Sequence, residues 1–148
     1  MPAVLVDTNV LVYAHDRGEH AKQAQAIRVL SHLHLTGLGR LSVQCLGEFF
    51  SVITRGPARR LPLETAAEQV KRMAQSWPVL GISPMIVIEA VRGVRERHLA
   101  YWDAQLWATA RLNQVSVIFS EDFSAGTVLD GVRFVDPFAA EFVVERWT

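Results

Sequence analysis

Four acids stand where the sequence changes from one kind of element to another: Asp7, Glu48, Asp103 and Asp122. Asp7 ends the apolar run Val4-Leu5-Val6, and Asp122 follows the run Val115 to Phe119 by way of Ser120 and Glu121. Both therefore sit just past a buried-strand signal. In an open α/β sheet, strand carboxyl ends and the helix starts after them share the edge where ligands bind. Asp103 lies in the first turn of a helix, between Ala110 and Trp107 on its apolar side. Glu48 lies at the edge of the apolar arc formed by Leu46, Phe49, Phe50 and Ile53, which Cys45 and Val52 widen. Carboxylates gathered on one edge repel, by about 4 kcal/mol for two charges 4 Å apart at an effective dielectric near 20. A divalent cation removes that conflict, and oxygen-only ligands suit Mg²⁺ or Mn²⁺. Cys45 is the only cysteine, and His32 and His34 lack a matching third ligand, so nothing competes for zinc. Each acid also has a plain structural reading: Asp7, Asp103 and Asp122 as helix or turn caps, Glu48 as a solvated side chain.

The elements that must position these acids alternate in type. Strands are expected over 3–6, 115–119 and 132–135, with shorter extended pieces at 40–43 and 79–82. Helices are expected over 8–15, 19–36, 44–55, 62–76, 84–97 and 102–113. Ala26, Val29, Leu30 and Leu33 give the second helix its apolar stripe at i, i+3, i+4 and i+7. Gly37 and Gly39 end that helix, Gly56-Pro57 ends the third, and Pro62 and Pro84 open later ones. The tail, 138–147, is expected as a short helix. Alternation of this kind predicts an α/β fold with a mainly parallel sheet of helix-flanked strands, in one domain spanning 1–148.

Lys plus Arg and Asp plus Glu both number 15, so the chain is no nucleic-acid binder by net charge. Local patches remain. Arg55, Arg59 and Arg60 flank the Gly56-Pro57 turn after the Glu48 helix, and Arg92, Arg95 and Arg97 lie on the helix before Asp103. Either set could hold phosphates, and either could equally be a solvated face. The single cysteine excludes a disulfide framework within one chain. No signal-peptide pattern precedes Asp7 and no apolar stretch approaches membrane-spanning length, which leads to the expectation of a soluble cytoplasmic protein with no membrane partner.

Read together, the acids and their neighbours resemble a known family. Asp7-Thr8-Asn9-Val10-Leu11 is similar to the opening of PIN-domain nucleases. Gln44-x-x-x-Glu48-Phe49 resembles the helix of their second acid. Asp103-Ala104-x-x-x-Ala108-Thr109-Ala110 resembles the third acid and its small-residue helix, and Ser120-Glu121-Asp122-Phe123 the segment of the fourth. The four matches come in family order, and the length suits the VapC-type toxins of toxin–antitoxin pairs. One departure is that Ala125 precedes Gly126 where family members often carry an Asp. The resemblance implies about five parallel strands and one metal site built from Asp7, Glu48, Asp103 and Asp122. Asp7 and Asp103 would be the main ligands, and Glu48 and Asp122 would complete the site directly or through water. Asn9 and Ser120 would orient the acids, while Glu121 would point away. It implies Mg²⁺- or Mn²⁺-dependent endoribonuclease cleavage of RNA phosphodiesters, a homodimer, and inhibition by a small antitoxin protein.

Two other readings fit the residues less well. A haloacid-dehalogenase-like phosphatase wants a second Asp where this chain has Asn9, and a lysine near the site, whereas Lys71 lies on an amphipathic helix. A non-catalytic PIN-fold partner-binding domain would keep the fold, but acids at all four positions speak against it. Glycine-rich nucleotide-binding loops of either usual pattern are absent.

Overall fold

The structure is a computed structural model describing residues 2–56, 60–124 and 126–148. Arg59, one of the three arginines of the first patch, lies outside the described residues, as do Pro57 of the expected turn and Ala125.

Strand β1 (Val4–Val6) is buried at every residue, as suits an apolar run without alternation that is covered on both faces. It is followed by α1 (Thr8–Tyr13), α2 (His20–Thr36), β2 (Gly39–Ser42), α3 (Val43–Ile53), α4 (Leu63–Ser76), β3 (Val79–Leu80), α5 (Pro84–Arg97), α6 (Tyr101–Leu112), β4 (Val117–Phe119), β5 (Val128–Leu129) and β6 (Val132–Val135), and then by a 3-10 turn at Val144–Arg146. The six strands form one sheet in the order β3-β2-β1-β4-β6-β5. All neighbouring pairs are parallel except β5 with β6. From β1 the chain winds outward through β2 and β3, then crosses back to β4 on the other side of β1. The β1/β4 boundary is thus the topological switch point, where two connections leave in opposite directions and open a crevice. Its register pairs Val6 with Phe119, so the next residues on the two strands are Asp7 and Ser120.

Helix α6 is the buried element. Every residue from Ala104 to Ala110 is buried, so the helix is covered nearly all round rather than on one stripe. Gly93 of α5 lets the two helices approach: a Cβ there would come within 2.8 Å of Trp107 Cζ3. The indole Nε1 of Trp107 donates to the Leu129 carbonyl at 3.0 Å, tying α6 to β5.

The sheet has six strands where about five were expected. The added one, β5, forms a hairpin with β6 through Asp130 and Gly131, both at positive φ (47° and 84°), as a type I′ turn requires. Strand β4 begins at Val117 and not at 115, because Val115 N still bonds the Ala110 carbonyl and closes α6. The tail is a series of turns with one 3-10 turn. Phe142 and Trp147 reach the core from it, edge-on to Phe119 with ring centroids 5.3 and 5.0 Å away. Glu145 pairs with Arg28, and the Trp147 carbonyl meets the His32 ring, so the tail is fixed to α2. No helix among the described residues is long and apolar enough to cross a membrane.

Candidate metal centre and its acids

Asp7 stands at the head of the switch-point crevice. Its backbone N–H donates to the Phe119 carbonyl at 3.0 Å, extending the β1/β4 ladder by one residue before the chain turns into α1. Its Oδ1 accepts from Thr8 N at 2.7 Å, so the capping reading holds. Its Oδ2 accepts from Ser120 Oγ, also at 2.7 Å, so the residue does more than cap. Burial pushes the carboxyl up to about 6 even though these two hydrogen bonds favour its charged form. The carboxylates of Asp122 and Glu48 push in the same direction as burial.

Ser120 is fully buried and uses its whole hydroxyl. It donates to Asp7, and accepts from Asp122 N at 3.1 Å and from Asn9 Nδ2 at 3.3 Å. One donor and two lone pairs are all a hydroxyl has. The Asn9 Oδ1 takes the Glu121 N–H at 3.4 Å. Asn9 and Ser120 therefore join the ends of β1 and β4 and set the turn that carries Asp122. Glu121 points away from the acids, to Tyr13 and Lys22.

Asp103 is the third residue of α6, which begins at Tyr101 and has no side-chain cap. Burial raises its pKa, and the Asp122 charge raises it further. The start of α6 is held by α3. Gln44 Nε2 donates to the Trp102 carbonyl at 3.0 Å, and its Oε1 accepts from Gln105 Nε2 at 2.9 Å. Tyr101 OH donates to Gln105 Oε1 at 2.9 Å. Glu48 lies one turn beyond Gln44 on the same side of α3. Gln105 was not singled out from the sequence. The signal available was its polarity within the run Ala104 to Ala110, where only a partnered amide tolerates such burial.

Asp122 thus raises the pKa of both Asp7 and Asp103, and Glu48 raises that of Asp7. The repulsion is pairwise: Asp122 acts on Asp7 and Asp103, and Glu48 acts on Asp7, from the end of β1, α3, α6 and the turn after β4. The eight ion pairs among the described residues involve none of them; they use Asp16, Glu89, Glu96, Glu121, Asp130 and Glu145 instead. As placed, no three His, Cys, Asp or Glu side chains among the described residues close tightly enough to hold an ion by themselves. Two clefts among the described residues, of about 570 and 540 Å³, are lined by none of the four acids. Glu48 and Asp122 are exposed, so the acid centre faces open surface, where an extended polymer fits better than an enclosed small molecule.

The arginine patches differ. Arg60 Nε pairs with Asp16 at 3.0 Å, and Arg55 Nη2 donates to Ser51 Oγ at 3.1 Å. Arg92 is bound to Glu89, Glu96 and Asp130, and Arg97 to Asp130, so two of the three α5 arginines are consumed within the fold, whereas Arg95 is exposed and in none of these pairs. Of the two lysines, Lys22 pairs with Glu121, and Lys71 lies on α4, which leaves the phosphatase reading without its lysine.

The family model of the PIN domain matches residues 4–125. No curated protein sequence matches the chain. Among solved structures, VapC20 of Mycobacterium tuberculosis, a sarcin–ricin loop cleaving toxin, superposes with a TM-score of 0.64 at 20% identity, covering 88% of this chain and 99% of that one. A toxin–antitoxin complex from Klebsiella pneumoniae gives 0.63 at 21% identity, covering 91% and 98%. A DNA-bound VapBC from Salmonella typhimurium gives 0.66 at 16% identity, covering 93% and 99%. Likeness at these identities is likeness of fold.

Proposed function

The chain belongs to the PIN-domain family, and from that premise we propose that it is a metal-dependent endoribonuclease that hydrolyses RNA phosphodiester bonds as the toxin of a type II toxin–antitoxin pair. The observation that carries this reading is the Asp7 carboxyl. It is half-buried beside Ser120, raised to about 6, and crowded by the charges of Asp122 and Glu48, with no cation among the described residues paired to any of the four acids. An arrangement that costs stability in this way suits a site that awaits a cation.

The donor chemistry fits Mg²⁺ or Mn²⁺. All four side chains offer oxygen, and the spread of the carboxylates leaves room for the several waters such an ion keeps. Asp7 and Asp103 would hold the ion, with Glu48 and Asp122 completing the site directly or through water. When bound, the ion supplies charge neutralisation at the phosphate and a water of lowered pKa. The chain's own residues do the rest. Ser120 Oγ holds Asp7 Oδ2 in one orientation, and Asn9 fixes the backbone of the β4 turn.

A small antitoxin is the proposed partner, on the precedent of the toxin–antitoxin complexes that share this fold, and a homodimer is the proposed assembly. RNA cleavage separates this reading from a non-catalytic binding domain. Purified protein should cleave total RNA with Mg²⁺ or Mn²⁺, stop in excess chelator, and resume when the ion is restored. Asp103→Asn should fold normally and cleave at a rate lower by about 100-fold or more. Undiminished cleavage in chelator, or by Asp103→Asn, would sink the proposal.

A further inference from the structure

Beside the turn that carries Asp122, α1 and α2 hold an ionic cluster. Glu121 lies between Ser120 and Asp122 on the turn after β4. Its Oε1 accepts from Tyr13 OH at 2.8 Å, and its Oε2 pairs with Lys22 Nζ. Lys22 Nζ also reaches Tyr13 OH at 3.3 Å and sits 4.8 Å from the Tyr13 ring centre and 5.8 Å from that of Phe138. Phe138 meets Tyr13 edge-on, with ring centroids 5.0 Å apart. The partly exposed ammonium thus faces two aromatic rings and one carboxylate, drawn from α1, the β4 turn and the tail.

Asn9 and Tyr13 are one turn apart on α1, and both hold Glu121: Asn9 by its backbone N–H, Tyr13 by its carboxylate. The residues before and after Glu121 are Ser120, which holds Asp7, and Asp122, whose N–H is held by Ser120. The turn is therefore pinned from both sides. Ser120 pins it from within the acid centre, and Glu121 pins it through Tyr13 and Lys22. Glu121 and Asp122 are adjacent on this bend, so the tether on the Glu121 side chain limits the orientations open to Asp122.

We propose that Glu121, with Lys22 and Tyr13, is a positioning group that sets the direction of the Asp122 carboxylate toward the metal centre. The inference rests on the nuclease reading above. The cluster does not earn its place as a stability device. Ion pairs this exposed, with side chains 37% and 25% accessible, add little to global stability. A misdirected Asp122, in contrast, acts where small displacements are costly.

The test uses the full chain and two readouts. One is Mn²⁺ binding without RNA, followed through the signal of free Mn²⁺ in electron paramagnetic resonance. The other is cleavage of a defined RNA, separated into kcat and KM. Glu121→Gln keeps the shape and the Tyr13 contact but removes the ion pair, and Lys22→Met removes the cation but keeps the stem. Both are expected to melt within a few degrees of the wild type, weaken Mn²⁺ binding several-fold, and lower kcat by about 10- to 100-fold with KM nearly unchanged. The exchanged pair, Lys22→Glu with Glu121→Lys, is expected to recover most of the loss. Wild-type Mn²⁺ affinity and kcat in both single variants would overturn the inference while leaving the nuclease reading intact. A rise in KM alone for Lys22→Met would also overturn it, by making Lys22 a phosphate contact. A wild-type chain that neither binds Mn²⁺ nor cleaves RNA would overturn both readings together.

Discussion

At the scale of the residue, Asp7 is asked to be two things at once. It caps α1 and belongs to the core edge, yet it must be an anion to hold a cation. Raising its pKa from 3.8 to about 6 corresponds to at most about 3 kcal/mol lost when the carboxyl is charged in the cation-free fold. The sign follows from proton counting. Between about pH 4 and 6 the folded chain holds more protons on this group than the unfolded chain does, so stability falls as pH rises through that window. His15 works the other way, because burial lowers its pKa and favours the fold as pH rises. The difference between wild type and Asp7→Asn isolates Asp7 from it. In chelator at pH 7, Asp7→Asn should be more stable than wild type by about 1–3 kcal/mol in urea unfolding, and the gap should close as pH falls toward 4. Added Mn²⁺ should raise the wild-type midpoint by mass action and leave the variant unmoved. A variant less stable than wild type at pH 7 would mean that the carboxyl is structural and not a ligand in waiting.

At the scale of the element, α6 decides how well Asp103 is aimed, because that residue depends on where a nearly fully buried helix begins. The helix is fixed by Gln44 and Gln105 at its start and by Trp107 against Gly93 in its middle. Gly93→Ala would favour helix α5 by about 1 kcal/mol on propensity alone. Against that, the new Cβ would meet Trp107 Cζ3 at 2.8 Å and Cε3 at 3.0 Å, and both atoms belong to a rigid buried ring. Overpacking should win, with a net loss of about 1–3 kcal/mol in thermal or urea unfolding and reduced cleavage through displaced Asp103. Equal or greater stability would show that the helices can separate without cost. The same helix shows what the sequence could and could not reveal. Strand ends and caps are local, so Asp7, Ser120 and Asp122 were legible from the residues around them. Burial of α6 on all sides is a tertiary fact, and its Gln105 bridge to Gln44 leaves no local trace beyond one amide in an apolar run. The β5–β6 hairpin does have a local signal. Asp130-Gly131 between Val128-Leu129 and Val132 is a strong short hairpin signal, weakened here only by a two-residue first strand. The tail misled for a different reason. Its aromatics at Phe138, Phe142 and Trp147 fill space from an irregular chain, and their spacing imitates a helix.

At the scale of the whole molecule, the question is how a chain with no net charge would hold a polyanion. Of its fifteen lysines and arginines, six (Lys22, Arg28, Arg60, Arg92, Arg97 and Arg111) sit on acids among the described residues. The acid centre itself repels phosphate until a cation is present. Long-range steering should therefore be weak, and RNA affinity should come mainly from the bound ion and from few arginines. This predicts a shallow salt dependence. If the patch after α3 (Arg55, Arg59 and Arg60) makes three phosphate contacts, with Arg60 exchanging Asp16 for phosphate, the slope of log K against log salt for single-stranded RNA should be about −2. Arg55→Ala should reduce that slope by about 0.7. The measurement is clean in Asp7→Asn with chelator, where cleavage is off and the ion makes no contribution. A slope steeper than about −4 would require more phosphate contacts than this patch can supply, placing the RNA on a cationic surface formed elsewhere, such as across two copies of the chain.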